Sequence, residues 1–132
     1  IVDLNRARPV NFALIDGIRT SEGGEGPWIE GWNPKKANVL IAGKNPVATD
    51  AVGTAVMGFD PTTMGRTQAP FEYCLNHLIL ARLRGLGPHR LDEIELVGEP
   101  LDDVITPFKP AALPPQMKQS RHYPGPYGTM WV

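Results

Sequence analysis

The pattern of apolar and polar positions along the chain predicts three short strands. Residues 10–15 (VNFALI) and residues 37–42 (ANVLIA) are apolar runs without a helical period, and residues 93–97 (EIELV) form a third run before a glycine turn. Runs of this length, bounded by turn residues, are typical of buried strands. Because the runs are continuous rather than strictly alternating, they favour strands covered on both faces, as in a mostly parallel sheet.

Two longer helices are predicted from apolar stripes and from the residues at the helix ends. Small apolar residues form a stripe between Asn45 and Gly58. Asn45 suits the N-cap, Pro46 suits the first helical position and Gly58 suits the C-terminal cap. Residues 70–84 place apolar side chains on one face and end in basic residues before a glycine, which predicts a second helix. A shorter helix is predicted at residues 3–8.

The order of strand, loop, strand, helix, helix and strand predicts an α/β domain with a mixed or mostly parallel sheet and helices packed on it. We expect residues 1–108 to form this domain, as the C-terminal portion of a larger one, because the chain opens inside a region with a structured pattern. Residues 109–132 are rich in proline and have no period, which predicts an extended tail. The candidate anchors of that tail for a protein partner are Tyr123, Tyr127 and Trp131.

The composition excludes several function classes. Thirteen basic and 14 acidic residues leave a net charge of -1, without the basic run that nucleic-acid binding requires. No apolar stretch approaches the ~20 residues of a membrane span and no signal peptide is evident, so we expect no membrane partner and favour a cytoplasmic location. Cys74 is the single cysteine, so it holds no iron–sulfur cluster alone, and its apolar surroundings predict a buried thiol. The three histidines lack metal-ligand spacing and are expected at the surface.

The stretch from Ile15 to Trp28, IDGIRTSEGGEGPW, concentrates the candidate chemistry. It carries Asp16, Glu22 and Glu25 among four glycines, within an irregular segment longer than the ~12–15 residues above which loops are usually functional or disordered. Asp16 directly follows a predicted strand, and ligands of open α/β sheets bind beyond the carboxyl ends of strands. Carboxylates at this place suit Mg²⁺, Ca²⁺ or Mn²⁺, and crowded carboxyl groups can instead supply a general acid beside a general base.

Asp50, in the first turns of the predicted Asn45–Gly58 helix, joins this set if the first two strands run parallel. The predicted acid and base are Asp16 and Asp50, and the predicted metal ligands are Asp16, Glu22, Glu25 and Asp50. The predicted ligand-binding residues are Gly17, Gly23, Gly24, Gly26, Lys44 and Asn45. The alternative interpretation is structural: the glycine pairs are turns, the glutamates and Lys44 face water, and Asp50 complements the helix dipole.

Four blocks of sequence occur in an order that resembles one known family. The blocks are VDLN, LIDGIRTSEGGEGP, LIAGKNPVATDAVGTAVMGFDP and IELVGEPLDD, and together they resemble domain-of-unknown-function family 362 (DUF362) over roughly residues 1–108. The resemblance implies an uncharacterised domain that is often associated with iron–sulfur proteins. This chain departs from the members that carry cysteine runs, because Cys74 is its single cysteine. The positions that match the motifs, without established roles, are Asp16, Gly17, Glu22, Gly26, Pro27 and Asp50.

The sequence leads to one expected function and one alternative from another class. We expect an acidic, glycine-lined cleft that binds a divalent cation or a small polar ligand within a redox-linked enzyme. The alternative is a non-catalytic module that docks on an iron–sulfur or scaffold partner through its proline-rich and aromatic tail. The sequence leaves the choice between enzyme and docking module open.

Overall fold

The structure is a computed structural model that describes residues 1–111 of the chain. It contains helices together with four short strands, so the predicted α/β class is confirmed. The elements in chain order are α1 (Val2–Ala7), β1 (Ala13–Asp16), β2 (Thr20–Glu22), β3 (Asn33–Lys35), β4 (Leu40–Gly43), α2 (Pro46–Val56), α3 (His77–Leu83), a 3-10 turn (Leu91–Glu93) and α4 (Leu101–Val104). None of the helices within these residues has the length and apolar character needed to cross a membrane.

The strands form two antiparallel pairs rather than the mostly parallel sheet that the apolar runs favoured. β1 pairs with β4, with Asp16 opposite Leu40, and β2 pairs with β3. The segment between β1 and β4 folds back on itself as the β2–β3 pair, so the chain returns beside β1 in the opposite direction without a crossover. Residues 94–97, predicted as most of a third strand, pair with no strand of the described chain.

Only one face of the β1–β4 pair is covered by the described residues. α2 lies on that face at close range, because a Cβ added at Gly53 would meet the Cδ1 atom of Ile15 at 2.9 Å. On the opposite face the side chains of Phe12, Leu14 and Leu40 are exposed. The prediction of strands covered on both faces is therefore wrong for residues 1–111. The burial alternates from residue to residue, as in a sheet with one free face.

α2 begins and ends where the sequence predicted. The Asn45 side chain accepts a hydrogen bond from the N–H of Ala48 at 3.0 Å, and Pro46 occupies the first helical position. Gly58 has a φ of +81° directly after the helix, a conformation that glycine adopts without strain. Asn45 also donates its amide N–H to the carbonyl of Leu86 at 2.7 Å, which attaches the start of the helix to the loop after α3.

α3 is shorter than the helix predicted over residues 70–84. Asn76 is the N-cap of α3, because its side chain accepts hydrogen bonds from the N–H groups of Leu78 and Ile79. The same side chain donates to the carbonyls of Pro61 and Thr63 at 2.8 and 2.9 Å, which fixes it in the core. The helix therefore starts at residue 77, and Cys74 lies exposed before it rather than buried as predicted.

The hydrophobic core lies between α2 and α3. Its buried residues are Val47, Ala51, Phe71, Leu78 and Ala81, with Val2, Leu86 and Ile94 packed against them. Phe71 joins this core from the turn before α3. The sheet contributes to burial only through its α2-facing side, so the two helices hold most of the buried apolar surface.

Candidate functional site

A hollow of about 310 Å³ lies between the sheet and α2. Its volume is at the lower end of the ~300–1,000 Å³ typical of small-molecule sites. Aliphatic and aromatic residues make up most of the lining, and five polar residues complete it. Those polar residues are Asp16, Thr20, Asp50, Thr54 and His77.

Asp16 and Asp50 both border this hollow, although β1, which ends at Asp16, and β4, which leads to α2, are antiparallel. Asp16 ends β1 opposite Leu40, whereas α2 starts beyond Gly43 and runs back across the sheet. This reversal carries Asp50 back over the sheet, so the parallel arrangement that the sequence analysis required was unnecessary. Gly17, a predicted ligand-binding residue, lines the hollow as well, and its N–H donates to the carbonyl of Val39.

The two aspartates have different local partners. One carboxylate oxygen of Asp16 accepts a hydrogen bond from the N–H of Ile18 at 2.9 Å, which fixes the turn after β1. Asp50 lies 3.8 Å from the Nε2 atom of His77, measured from its Oδ2 atom, and both side chains are partly exposed. The backbone carbonyl of Asp50 accepts the hydroxyl proton of Thr54 at 2.8 Å.

His77 is a polar residue of this hollow that the sequence analysis did not include in the site, as are Thr20 and Thr54. It is the first residue of α3, directly after the Asn76 cap, and its ring meets that of Phe71 edge-on at 5.8 Å between centroids. The packing of α3 against α2 places it next to Asp50. The Asn76 cap was a local signal for the helix start, but nothing local in the sequence linked His77 to Asp50.

Glu22 lies away from the hollow lining and has a structural partner. Its carboxylate is 3.1 Å from the Lys35 ammonium group and accepts the backbone N–H of Lys109 at 3.1 Å. The Lys109 hydrogen bond, followed by the contact with Lys35, lowers the pKa of Glu22. Gly23 donates its N–H to the Lys109 carbonyl at 3.0 Å, so the two contacts attach residue 109 to the β2–β3 pair.

The predicted glycine cradle packs on its own loop. Gly23 has a φ of +76° and lies so close to the Gly31 carbonyl that no side chain fits there. A Cβ at Gly24 would meet Ile29, and one at Gly26 would meet the ring of Trp28. The exposed Glu25 carboxylate accepts the indole N–H of that same ring at 3.5 Å.

Lys44 and Asn45 border a second depression, a groove beside β4. The structure thus distributes the predicted site residues over three places: the hollow, the β2–β3 loop and the groove. Within residues 1–111, no three His, Cys, Asp or Glu side chains come together as a possible metal site. The four predicted carboxylate ligands are therefore not grouped together among these residues, and the roles of the individual residues stay predictions.

His89 is buried, contrary to the expectation of surface histidines. It is 8% exposed, and its Nδ1 atom has no hydrogen-bond partner among the described residues. Burial, followed by the nearby Arg82, lowers its pKa. His122 and the candidate anchors Tyr123, Tyr127 and Trp131 lie outside the described residues, so docking through the tail stays a prediction.

Comparison with known proteins identifies one family. The family described as Domain of unknown function (DUF362) matches residues 1–55. The resemblance read from the sequence is confirmed for this N-terminal part, which includes β1, the acidic loop and Asp50. No curated protein matched the chain, and no solved structure matched it either.

Proposed function

Residues 1–55 of this chain match the DUF362 family, and from that premise we propose that the domain binds a small polar ligand in the hollow between Asp16 and Asp50. The ligand would carry a cationic amine group on a short apolar body. One observation supports this most directly: Asp16 and Asp50, both in the family segment, border a single hollow whose remaining surface is largely apolar.

The charges around the hollow favour a cationic group. Its lining includes two aspartates and no lysine or arginine among the described residues, and only His77 lies near one of the carboxylates. A protonated amine forms charge-assisted hydrogen bonds with carboxylates, which are stronger than bonds between neutral groups. A carboxylate ligand would meet like charge at both aspartates.

The apolar lining favours an organic ligand over a bare metal ion. Ile41, Met57 and Phe108 contribute to it, and a hydrated cation gains nothing from such side chains. A short alkyl body would bury its surface there at about 25 cal/mol per Å². Most small-molecule sites combine a predominantly apolar lining with a few polar groups that orient the ligand.

A titration with three small molecules of equal length tests this proposal. Hexylamine, hexanol and hexanoate would be added separately to the chain, and the amide shifts of Gly17 and Gly53 followed by NMR. We expect saturable shifts with hexylamine, weaker ones with hexanol and none with hexanoate. Equal responses to all three molecules would contradict the role of the carboxylates.

Charge-neutral variants locate the site. Asp16→Asn and Asp50→Asn should each weaken hexylamine binding about ten-fold, because each removes one charge-assisted hydrogen bond of about 1.5 kcal/mol. Asp102→Asn, in the separate helix α4, is the matched control and should leave the affinity unchanged. His77→Gln should strengthen binding slightly, because it removes a competing partner of Asp50.

Calorimetry with Mg²⁺, Mn²⁺ and Ca²⁺ tests the metal alternative separately. A saturable heat that disappears in Asp16→Asn would favour cation binding over the organic ligand. An acid–base role for Asp16 and Asp50, and a link to redox proteins, stay predictions that neither titration addresses.

A further inference from the structure

A groove of about 890 Å³ runs along the edge of β4 that faces away from β1. α2 forms its floor through Ala48, Val52 and Val56, and residues 93–99 form the opposite wall. The groove shares Val39, Ile41 and Val56 with the hollow, but it alone borders residues 93–99, so it raises a separate question about function.

The backbone of β4 presents unused hydrogen-bonding groups to this groove. Gly17 donates to the carbonyl of Val39, and the register continues through the pair of Ile15 and Ile41. In an antiparallel pair, successive residues point their N–H and C=O groups alternately towards the partner strand and away from it. The backbone groups of Leu40 and Ala42 therefore face the groove, where the described chain provides no pairing strand.

The opposite wall is apolar and acidic. Leu96 and Val97 are exposed there, Val97 to 92%. Glu95 and Glu99 also border the groove, and neither forms an ion pair within residues 1–111. Glu93 differs, because its carboxylate binds Arg82.

We propose that this groove binds an extended segment of a partner polypeptide, which adds to the free edge of β4 as a strand. Strand addition uses backbone hydrogen bonds for affinity and alternate side chains for specificity. The complementary segment carries apolar side chains at alternate positions, against α2, and a lysine or arginine opposite Glu95 and Glu99. This inference is independent of the ligand proposed for the hollow.

The probe is a synthetic fluorescein-labelled peptide in which valine alternates with lysine and threonine. It is titrated against the full 132-residue chain by fluorescence anisotropy. We expect saturable binding that weakens with added salt. In parallel, the amides of Leu40 and Ala42 should exchange with deuterium about ten-fold more slowly when the peptide is bound, whereas the amide of Ile41, already paired with β1, should change little.

Two pairs of controls separate charge from backbone pairing. The double variant Glu95→Gln, Glu99→Gln should weaken binding about five-fold, as expected for two partly exposed ion pairs, and Glu30→Gln should have no effect. A peptide with N-methyl groups on alternate amides keeps its side chains but loses its donors, so it should not bind. This second comparison requires no change to the protein.

Four outcomes overturn the proposal. The peptide fails to bind, or the N-methylated peptide binds equally well. The Leu40 and Ala42 amides are already protected in the free chain at every concentration, which assigns the groove to a segment of the same chain. Alternatively, that protection rises with protein concentration, which assigns the groove to a second copy.

Discussion

Helix α2 and strand β4 are neighbours in the sequence and in space, yet they differ in how much of their surface the described chain covers. Eight residues of α2 are buried, because the sheet lies on one side and α3 on another. In β4 no residue is buried, and Leu40 is 60% exposed. Two-stranded sheets are marginally stable by themselves. The comparison indicates that the helices stabilise this fold and that the sheet depends on α2.

The same difference separates the two kinds of candidate function. The hollow forms where α2 covers the sheet, so packing within the chain fixes the positions of its side chains. The groove forms where the coverage ends, so its free backbone groups are available to another strand. If this distinction is correct, substitutions in the helical core and on the bare sheet face should have very different effects on stability.

The largest effect is expected at the centre of the helical core. Leu78 is 1% exposed, and Leu78→Ala should lower the free energy of unfolding by about 3 kcal/mol, through lost burial and a cavity. Leu83→Ala, in the same helix at a residue that is 75% exposed, should change it by less than about 0.5 kcal/mol. Urea unfolding followed by circular dichroism measures both, and equal losses would contradict the assignment of the core.

The next effect concerns the cap of α3. Asn76→Ala removes two acceptor contacts at the helix start and leaves the carbonyls of Pro61 and Thr63 without their donor. We expect a loss of about 2 kcal/mol in unfolding free energy. Asn5→Ala, at a partly exposed asparagine, is the matched control and should have little effect. A negligible loss at Asn76 would show that the turn before α3 does not depend on this side chain.

A smaller effect is expected from the buried His89 as the pH falls. Its folded-state pKa lies below the ordinary value of 6.5, so the unfolded chain binds this proton more readily. The contribution of neutral His89 to the unfolding free energy is therefore complete above pH 6.5, and it declines as the pH falls towards the folded-state pKa. His89→Gln should therefore reduce the pH dependence of the unfolding free energy between about pH 6.5 and pH 5, which lies above the range where carboxylates titrate. If the slope of unfolding free energy against pH is the same in this variant, the pH dependence comes from another group.

The smallest effect is expected on the bare face of the sheet. Leu14→Ala and Leu40→Ala should each change the unfolding free energy by less than about 0.5 kcal/mol, because both side chains are exposed. Ile15→Ala, one residue along β1 on the α2 side, is the contrasting variant and should be measurably destabilising. Losses above about 2 kcal/mol at Leu14 or Leu40 would show that something covers this face.

Some of the candidate site could be predicted from the sequence, and the reason is visible in particular residues. Asp16 was recognisable because it follows an apolar run directly, and Asp50 because it follows the capped start of α2. The grouping of Glu22 with them had no such basis. Its partners are Lys35 and Lys109, distant in sequence and brought together only by the β2–β3 pair and the returning chain.

The sequence by itself determined the features that depend on neighbouring residues. The cap at Asn45, the proline at the first turn and the glycine after α2 act through hydrogen bonds and backbone angles within a few residues. Only the tertiary structure decided the antiparallel pairing, the position of His77 beside Asp50 and the free edge of β4. These features depend on the direction in which distant segments return and on which surfaces they cover, and no local pattern encodes either.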